Sequence, residues 1–385
     1  MTGKERVEAA FQGIPSDRVP VYQLSASSWV ASELLGREAY VGFGIQQWRE
    51  AAALWDGPDA HAEFLERTFQ DTLAINRHYG NDLYRFVYPR APGKPTRKVD
   101  EHTYLYESGS EENWRVLRYD PSQEHIDVMF DHKPRRRPTF EDLERSLEAS
   151  EKAYEKNPEE RLPLRDDDLS LRALRELGNE AAIRIGGGSC GIGREEWWLE
   201  AVALRPDLVA RSLDLQVASA RQTVGPLVDA GFRYLFGGGD FAGYQGPFYS
   251  PKTFHDLVLP RLQEITNIVH QKNAYSLFAS DGDLWSVADD LFGASGVDGF
   301  YEIDRRAGMD LRRLREHFPD LTLLGGISSH TLHVGSSEEV IAETLTSIEV
   351  AKELGRIIVG VTNLPVPGTP VSNIEAMLRT VEDNR

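Results

Sequence analysis

The stretch Asn273-Ala-Tyr-Ser-Leu-Phe-Ala-Ser-Asp-Gly-Asp283 sets an apolar run against an abrupt polar end. Ala274 to Ala279 has the length and composition of a buried strand. The run stops at Ser280-Asp281-Gly282-Asp283 and passes at once into the amphipathic segment Leu284 to Phe292, expected as a helix. A strand feeding a helix through a short polar turn is one unit of a parallel α/β sheet. Such sheets handle ligands just past the carboxyl ends of their strands. The turn therefore carries two readings. Either Ser280 or Asp281 caps the next helix by accepting its free N–H groups, or two carboxylates and a hydroxyl are placed there for chemistry.

Working outward, eight apolar runs read as strands: 19–24, 83–88, 182–186, 233–236, 274–279, 299–303, 321–325 and 357–361. Helical spacing fills most of the gaps, at 199–230, 254–270, 284–292, 311–317 and 337–354. Strands alternating with helices imply parallel pairing through right-handed crossovers. Eight units predict a (β/α)8 TIM barrel, with an open doubly wound sheet as the alternative. No G-x-G-x-x-G follows the first strand, which counts against the open sheet. The rhythm breaks between Pro92 and Asp131, where 102–106 and 113–119 read as a β-hairpin inserted after the second strand. The charged segment 141–160 reads as a surface helix. No linker divides the chain, so residues 1–385 are expected to form one domain.

With 43 basic against 61 acidic residues, the formal charge is −18. That argues against nucleic acid and anionic membrane surfaces as partners, because both need a basic footprint. The basic run Lys133-Pro-Arg-Arg-Arg137 is expected to be a solvated loop. Cys190 is the single cysteine, which excludes an intrachain disulfide and an all-cysteine metal site. The amino-terminal residues are polar, and no apolar stretch reaches ~18 residues, so the expected location is cytoplasmic.

Several segments in order resemble one family, the uroporphyrinogen decarboxylase superfamily of heme-pathway decarboxylases and corrinoid-, coenzyme M- or folate-linked methyltransferases. The resemblance runs through Asp17-Arg-Val-Pro-Val21, Asp240-Phe-Ala-Gly-Tyr-Gln-Gly-Pro-Phe-Tyr-Ser-Pro251, Ser280-Asp-Gly-Asp283, Gly308-Met-Asp-Leu311, Gly325-Gly-Ile327 and Val366-Pro-Gly-Thr-Pro370. It implies a (β/α)8 barrel, in agreement with the strand count. The departures narrow the function. Porphyrinogen decarboxylases resemble one another in an arginine-bearing run after the first strand, which clamps a poly-acidic tetrapyrrole. Here that strand continues Tyr22-Gln-Leu-Ser-Ala-Ser-Ser-Trp29, with no arginine. Guanidinium groups are the natural bidentate partners of carboxylates, so uroporphyrinogen is not expected as substrate. Zinc methyltransferases of the superfamily look like His-x-Cys-Gly-Asn where this chain has Ala279 to Asp283, so no zinc is expected. The Ser-Asp-Gly run is similar to the zinc-free, tetrahydrofolate-using group, except that Ala279 stands in place of a histidine.

The candidate catalytic residues are Asp281, Asp240 and Glu302. Asp281 ends a strand in apolar surroundings, where desolvation raises a carboxyl pKa; it is a proton carrier or a partner for the amidine edge of a pterin. Asp240 follows Gly237-Gly-Gly239, where missing side chains admit a ligand to the backbone. Glu302 lies inside a strand run and either faces the barrel interior or pairs with an arginine such as Arg305. Tyr22, Gln23, Tyr88, Ser280 and Asn363 are the expected cofactor-binding residues, and His330 and His333 are candidate bases. The glycine run Gly186 to Gly193 lacks the Lys-Ser/Thr of a P-loop and is expected as an active-site loop. The expected function is a small-molecule methyltransferase or demethylase using tetrahydrofolate or a corrinoid (cobalamin) protein. The alternatives are a cofactor-free decarboxylase and a non-catalytic binder of a tetrapyrrole or corrinoid. Expected partners are a small-molecule substrate and a corrinoid protein, with room for a homodimer.

Overall fold

A computed structural model describes residues 1–107, 114–131, 137–158 and 160–385. Seven parallel strands follow one another across a curled sheet: Leu83–Arg85, Ala182–Gly186, Tyr234–Gly238, Tyr275–Ala279, Gly299–Tyr301, Thr322–Ile327 and Ile357–Val361. The order is sequential because each crossover carries helix back over the outer face, as in Leu259–His270, Leu311–His317 and Ser337–Leu354. Alternate strand residues divide into two cores. Leu83, Ala182, Phe236, Leu277, Tyr301, Leu324 and Ile358 pack with Tyr22 on the concave side. Ile183, Leu235, Phe278, Phe300 and Leu323 pack outward against the helices.

The expected first strand, 19–24, is reduced to a single bridged pair, Val21 with Val359. Its position lies between the two edges of the sheet: Val359 N–H donates to Pro20, Tyr22 N–H to Val359, and Asp82 N–H to Val21. On the Leu83 side, however, side chains take the place of a ladder. Val21 N–H donates to Asp82 Oδ2 at 2.9 Å and Gln23 N–H to Asn81 Oδ1 at 2.7 Å. Pro20 also has no N–H to give.

Three other expectations change. The segment 284–292 forms a 3-10 turn, Trp285–Val287, and a π-helical run, Asp289–Ala294, instead of a regular α-helix. The long helix at 199–230 is broken at Arg205 into Glu196–Leu204 and Pro206–Ala230, since proline opens a new helix more readily than it continues an old one. The strands Thr103–Glu107 and Trp114–Asp120 pair antiparallel, as part of a four-stranded sheet with Arg97–Lys98 and His125–Asp131. The residues joining the two, 108–113, lie outside the described residues, as do 133–136 of the basic run. Arg137, which ends that run, is paired with Glu200.

The helix Gly3–Gln12 covers the end where the strands begin. Phe11 stacks on Tyr275 at 4.6 Å, and Glu8 accepts from the hydroxyls of Tyr234 and Tyr275, each at 2.8 Å. The opposite, carboxyl end of the sheet carries the expected acids. No helix among the described residues is long and apolar enough to cross a membrane.

Candidate active site

Asp240, Asp281 and Glu302 come from the ends of three successive strands, and one carboxylate oxygen of each lies within 4.8 Å of the others. The backbone that brings them together is glycine-dependent. Gly282 sits at φ +92°, and a Cβ there would come 2.6 Å from the carbonyl carbon of Ala242; only glycine makes that turn without displacing the neighbouring loop. Gly239 N–H donates to Ala279 O, and Asp281 N–H donates to Asp240 Oδ1 at 3.2 Å, tying the two strand ends to each other.

Glu302 reaches the group by a different device. Strand alternation would turn it outward, because Tyr301 already faces the concave core. Its φ of +73° breaks the alternation directly after the strand, at a conformational cost of about 1–2 kcal/mol for a residue with a side chain. It makes no hydrogen bond or ion pair among the described residues, and Arg305, the sequence-level alternative partner, pairs with Glu343 instead at 3.3 Å. Burial, together with the charges of Asp281 and Asp240, pushes the Glu302 carboxyl up to about 8. Burial and the charges of Asp240 and Asp304 push Asp281 up to about 6, partly opposed by Asn363 Nδ2, which donates to Asp281 Oδ2 at 3.3 Å. Near neutral pH the first acid therefore keeps its proton while the second gives it up. Asp240 is held by Arg194 at 3.0 Å.

The capping explanation for the Ser-Asp-Gly turn falls to another residue. Asp283 Oδ1 accepts from Trp285 N–H at 2.9 Å, while Ser280 is buried, donates to Asp281 O at 3.0 Å and accepts from Phe241 N–H at 3.4 Å. Asp281 thus has no helix end to serve. It opens with Asn363, Asp304, Arg306, Ser328 and His330 onto a cleft of about 310 Å³.

The remaining candidates divide. Tyr22 is buried beside the site, its hydroxyl accepting from Arg184 Nη1 at 2.8 Å. Gln23 Oε1 accepts from Val361 N–H at 2.8 Å and its amide nitrogen is buried without a partner. Tyr88 is not brought to this group: its hydroxyl donates to Glu50, within a separate network with Arg90. His330 lines the cleft, whereas His333 is engaged with Thr369 at 3.1 Å. The glycine loop is pinned, since Gly237 leaves only 2.6 Å between a would-be Cβ and Gly188 O, and Gln216 holds Gly191 through two hydrogen bonds.

Sequence reasoning passed over Arg85 and Arg184, which stand opposite each other in the parallel register and carry the concave face upward from Leu83 and Ala182. The signal was available: an arginine in each of two otherwise apolar strand runs. For a metal ion, three carboxylates offer an all-oxygen set, which suits a hard cation such as magnesium, calcium or manganese better than zinc.

The fold has a full-length counterpart. A methyltransferase from Methanosarcina mazei superposes with a TM-score of 0.65 at 18% identity, covering 100% of this chain and 99% of that one. A chitinase from Chromobacterium violaceum overlaps at a TM-score of only 0.29 and 10% identity, over 57% of this chain and 96% of that one, too loosely to bear on the fold. No curated protein sequence matches. The family model for uroporphyrinogen decarboxylase matches residues 185–384, just over half the chain and all three site carboxylates. By that match the chain belongs to the uroporphyrinogen decarboxylase family.

Proposed function

We propose that this chain is an enzyme that removes a methyl group from a small molecule, with Glu302 as the acid that protonates the leaving heteroatom. One observation carries the reading: two neighbouring carboxyls are driven apart, Glu302 to about 8 and Asp281 to about 6. Pairs of titratable groups separated in this way are the usual source of an acid and a base in one site. A methyl ether or amine transfers its methyl group only as its oxygen or nitrogen becomes a better leaving group, and a neutral carboxylic acid supplies the proton.

Tetrahydrofolate is the methyl carrier the site suits better. Asp281 is ionised above pH ~6 and lines a cleft of about 310 Å³ with Asn363, a carboxylate and an amide matched to the amidine edge and carbonyl of a pterin. When bound, the carrier supplies the nucleophile that takes the methyl group. The chain itself holds the pterin edge with Asp281 and Asn363 and keeps the proton on Glu302. A corrinoid protein, the other carrier considered, would have to approach from the rim. The same reading takes the segment at Val21 as the eighth stave of a closed barrel.

A cofactor-free decarboxylase is the second reading, favoured by the same neutral acid, since Glu302 can protonate the carbanion left by departing CO2 without any carrier. The two part on product. Purified protein with tetrahydrofolate and a panel of methoxylated and N-methylated acids should yield methyltetrahydrofolate, followed by mass spectrometry. CO2 from the panel without carrier would replace methyl transfer with decarboxylation. Asp281→Asn keeps the shape and loses the charge, and should cost about 100-fold in rate with the melting temperature almost unchanged. Full activity in that variant would remove Asp281 from the site.

A further inference from the structure

Arg85 and Arg184 occupy facing positions on neighbouring parallel strands, where strands run about 4.8 Å apart. Two like charges directly opposite on one face repel; neither forms an ion pair among the described residues, although the Glu302 carboxyl lies within electrostatic reach of both. Arg85 has neither hydrogen bond nor ion pair and lies over the Phe43 ring at 4.9 Å. Arg184 lies over Phe236 at 3.5 Å and donates only to the Tyr22 hydroxyl. The Nε–H of both guanidiniums is shut off from solvent with no acceptor. Beside them the hydroxyl of Tyr301, a side chain 2% exposed, is also without a partner. Unpaired buried donors are rare in folded proteins, and each calls for an explanation. Here a set of them converges beside an acid that is itself unpaired.

We propose that Arg85, Arg184 and the Tyr301 hydroxyl form the seat of a monoanionic carboxylate carried by the substrate. An anion there faces both guanidiniums, the groups that bind planar carboxylates best. Burial and the neighbouring Arg184 already pull Arg85 down to about 10, and an arriving anion offsets the repulsion between the two guanidiniums. A single charge is the better match. Arg194 compensates Asp240, but Asp281 is ionised across the site and repels a second negative charge. The seat lies within electrostatic reach of Glu302. Resting on the reading above for the reacting atom, it makes the substrate a small monocarboxylate whose methyl-bearing atom points to Glu302.

The test is binding without any methyl carrier. Benzoate, its neutral isostere benzamide, and phenyl phosphate are titrated calorimetrically into the full-length protein at pH 7. Benzoate should bind at least about tenfold more tightly than benzamide, the scale of charge-assisted hydrogen bonds, and more tightly than phenyl phosphate. Arg85→Met and Arg184→Met should each lose most of that preference, with benzoate affinity falling by more than benzamide affinity. Removing a desolvated, unpaired charge should also leave the Arg85→Met melting temperature equal to or above that of the wild type, the reverse of what a structural arginine would show. Equal binding of benzoate and benzamide, tighter phenyl phosphate, or undiminished benzoate binding in both variants overturns the seat. Selective benzoate binding with no methyl transfer from any panel member leaves the seat standing and overturns the methyl-transfer reading instead. Methyl transfer that is indifferent to a carboxylate on the substrate does the opposite.

Discussion

Glu50 and Glu302 are the same side chain, both withdrawn from solvent, in opposite states of satisfaction. Glu50, 1% exposed, takes Arg90 Nε at 2.6 Å, the Tyr88 hydroxyl and His61 Nε2 at 3.2 Å on one oxygen, and Ala91 N–H at 2.7 Å on the other. Arg90 is tied onward to Asp167 at 2.7 Å. Glu302 has no hydrogen bond among the described residues, two carboxylate neighbours, two arginines within electrostatic reach and a left-handed backbone. Burial alone is thus uninformative about function; pairing separates the two. A buried carboxylate with a full set of donors holds segments together. One without donors keeps its proton at neutral pH and is available to give it away. The contrast also explains Tyr88, an expected ligand residue that belongs instead to the structural network.

The largest effect should come from Glu302→Gln. The amide keeps the shape and cannot release a proton, so turnover should fall about 1,000-fold, within the range for losing a general acid, with substrate affinity nearly unchanged. A steady-state assay on the demethylated substrate checks this, and turnover within a few-fold of wild type would place the acid elsewhere. Glu50→Gln should show the complementary pattern. Removing the charge leaves Arg90 short of a partner, and breaking a buried pair costs about 3 kcal/mol, read as a lower urea midpoint. Activity per folded molecule should be retained. If both variants lost activity and stability together, the distinction drawn between paired and unpaired acids would fail.

Much of this could be read before the structure. The strands Ala182–Gly186 and Ile357–Val361 and the helices Leu311–His317 and Ser337–Leu354 fall at their expected residues, because apolar residues dominate the pattern there and turn residues bound it. Asp240, Asp281 and Glu302 were visible because each closes or interrupts an apolar strand run. What was hidden is what periodicity does not carry. Three- and four-residue spacing does not distinguish the 3-10 and π turns of 285–294 from a regular helix. Nothing local in 19–24 tells that Asn81 and Asp82 side chains will take its ladder positions. Arg85 and Arg184 were hidden by their surroundings, since the strand pattern registers the apolar neighbours and not the one residue that breaks them. Their register, not their spacing, makes them a pair.

The smallest effect sharpens the comparison most, because it needs no substrate. The Glu302 carboxyl titrates near 4.5 when unperturbed and near 8 in the folded protein. Between those values the folded state holds a proton that the unfolded state has released, so this group makes stability fall as pH rises from about 4.5 to about 8 and contributes no further change above. Asp281 has the same sign over a lower window, from 3.8 to about 6, and remains in a Glu302→Gln protein. Titrating groups remote from the site are common to both proteins and cancel in the difference. The wild type should therefore lose more melting temperature than Glu302→Gln on going from pH 5 to pH 8, with the variant gaining a few degrees relative to wild type over that interval. Glu50→Gln should remain below the wild type at both pH values, because it removes the charged partner of Arg90. Parallel wild-type and Glu302→Gln profiles between pH 5 and 8 would mean that Glu302 is ionised throughout. It would then be the third carboxylate charge of the group, and the proton assigned to it would have to come from Asp281.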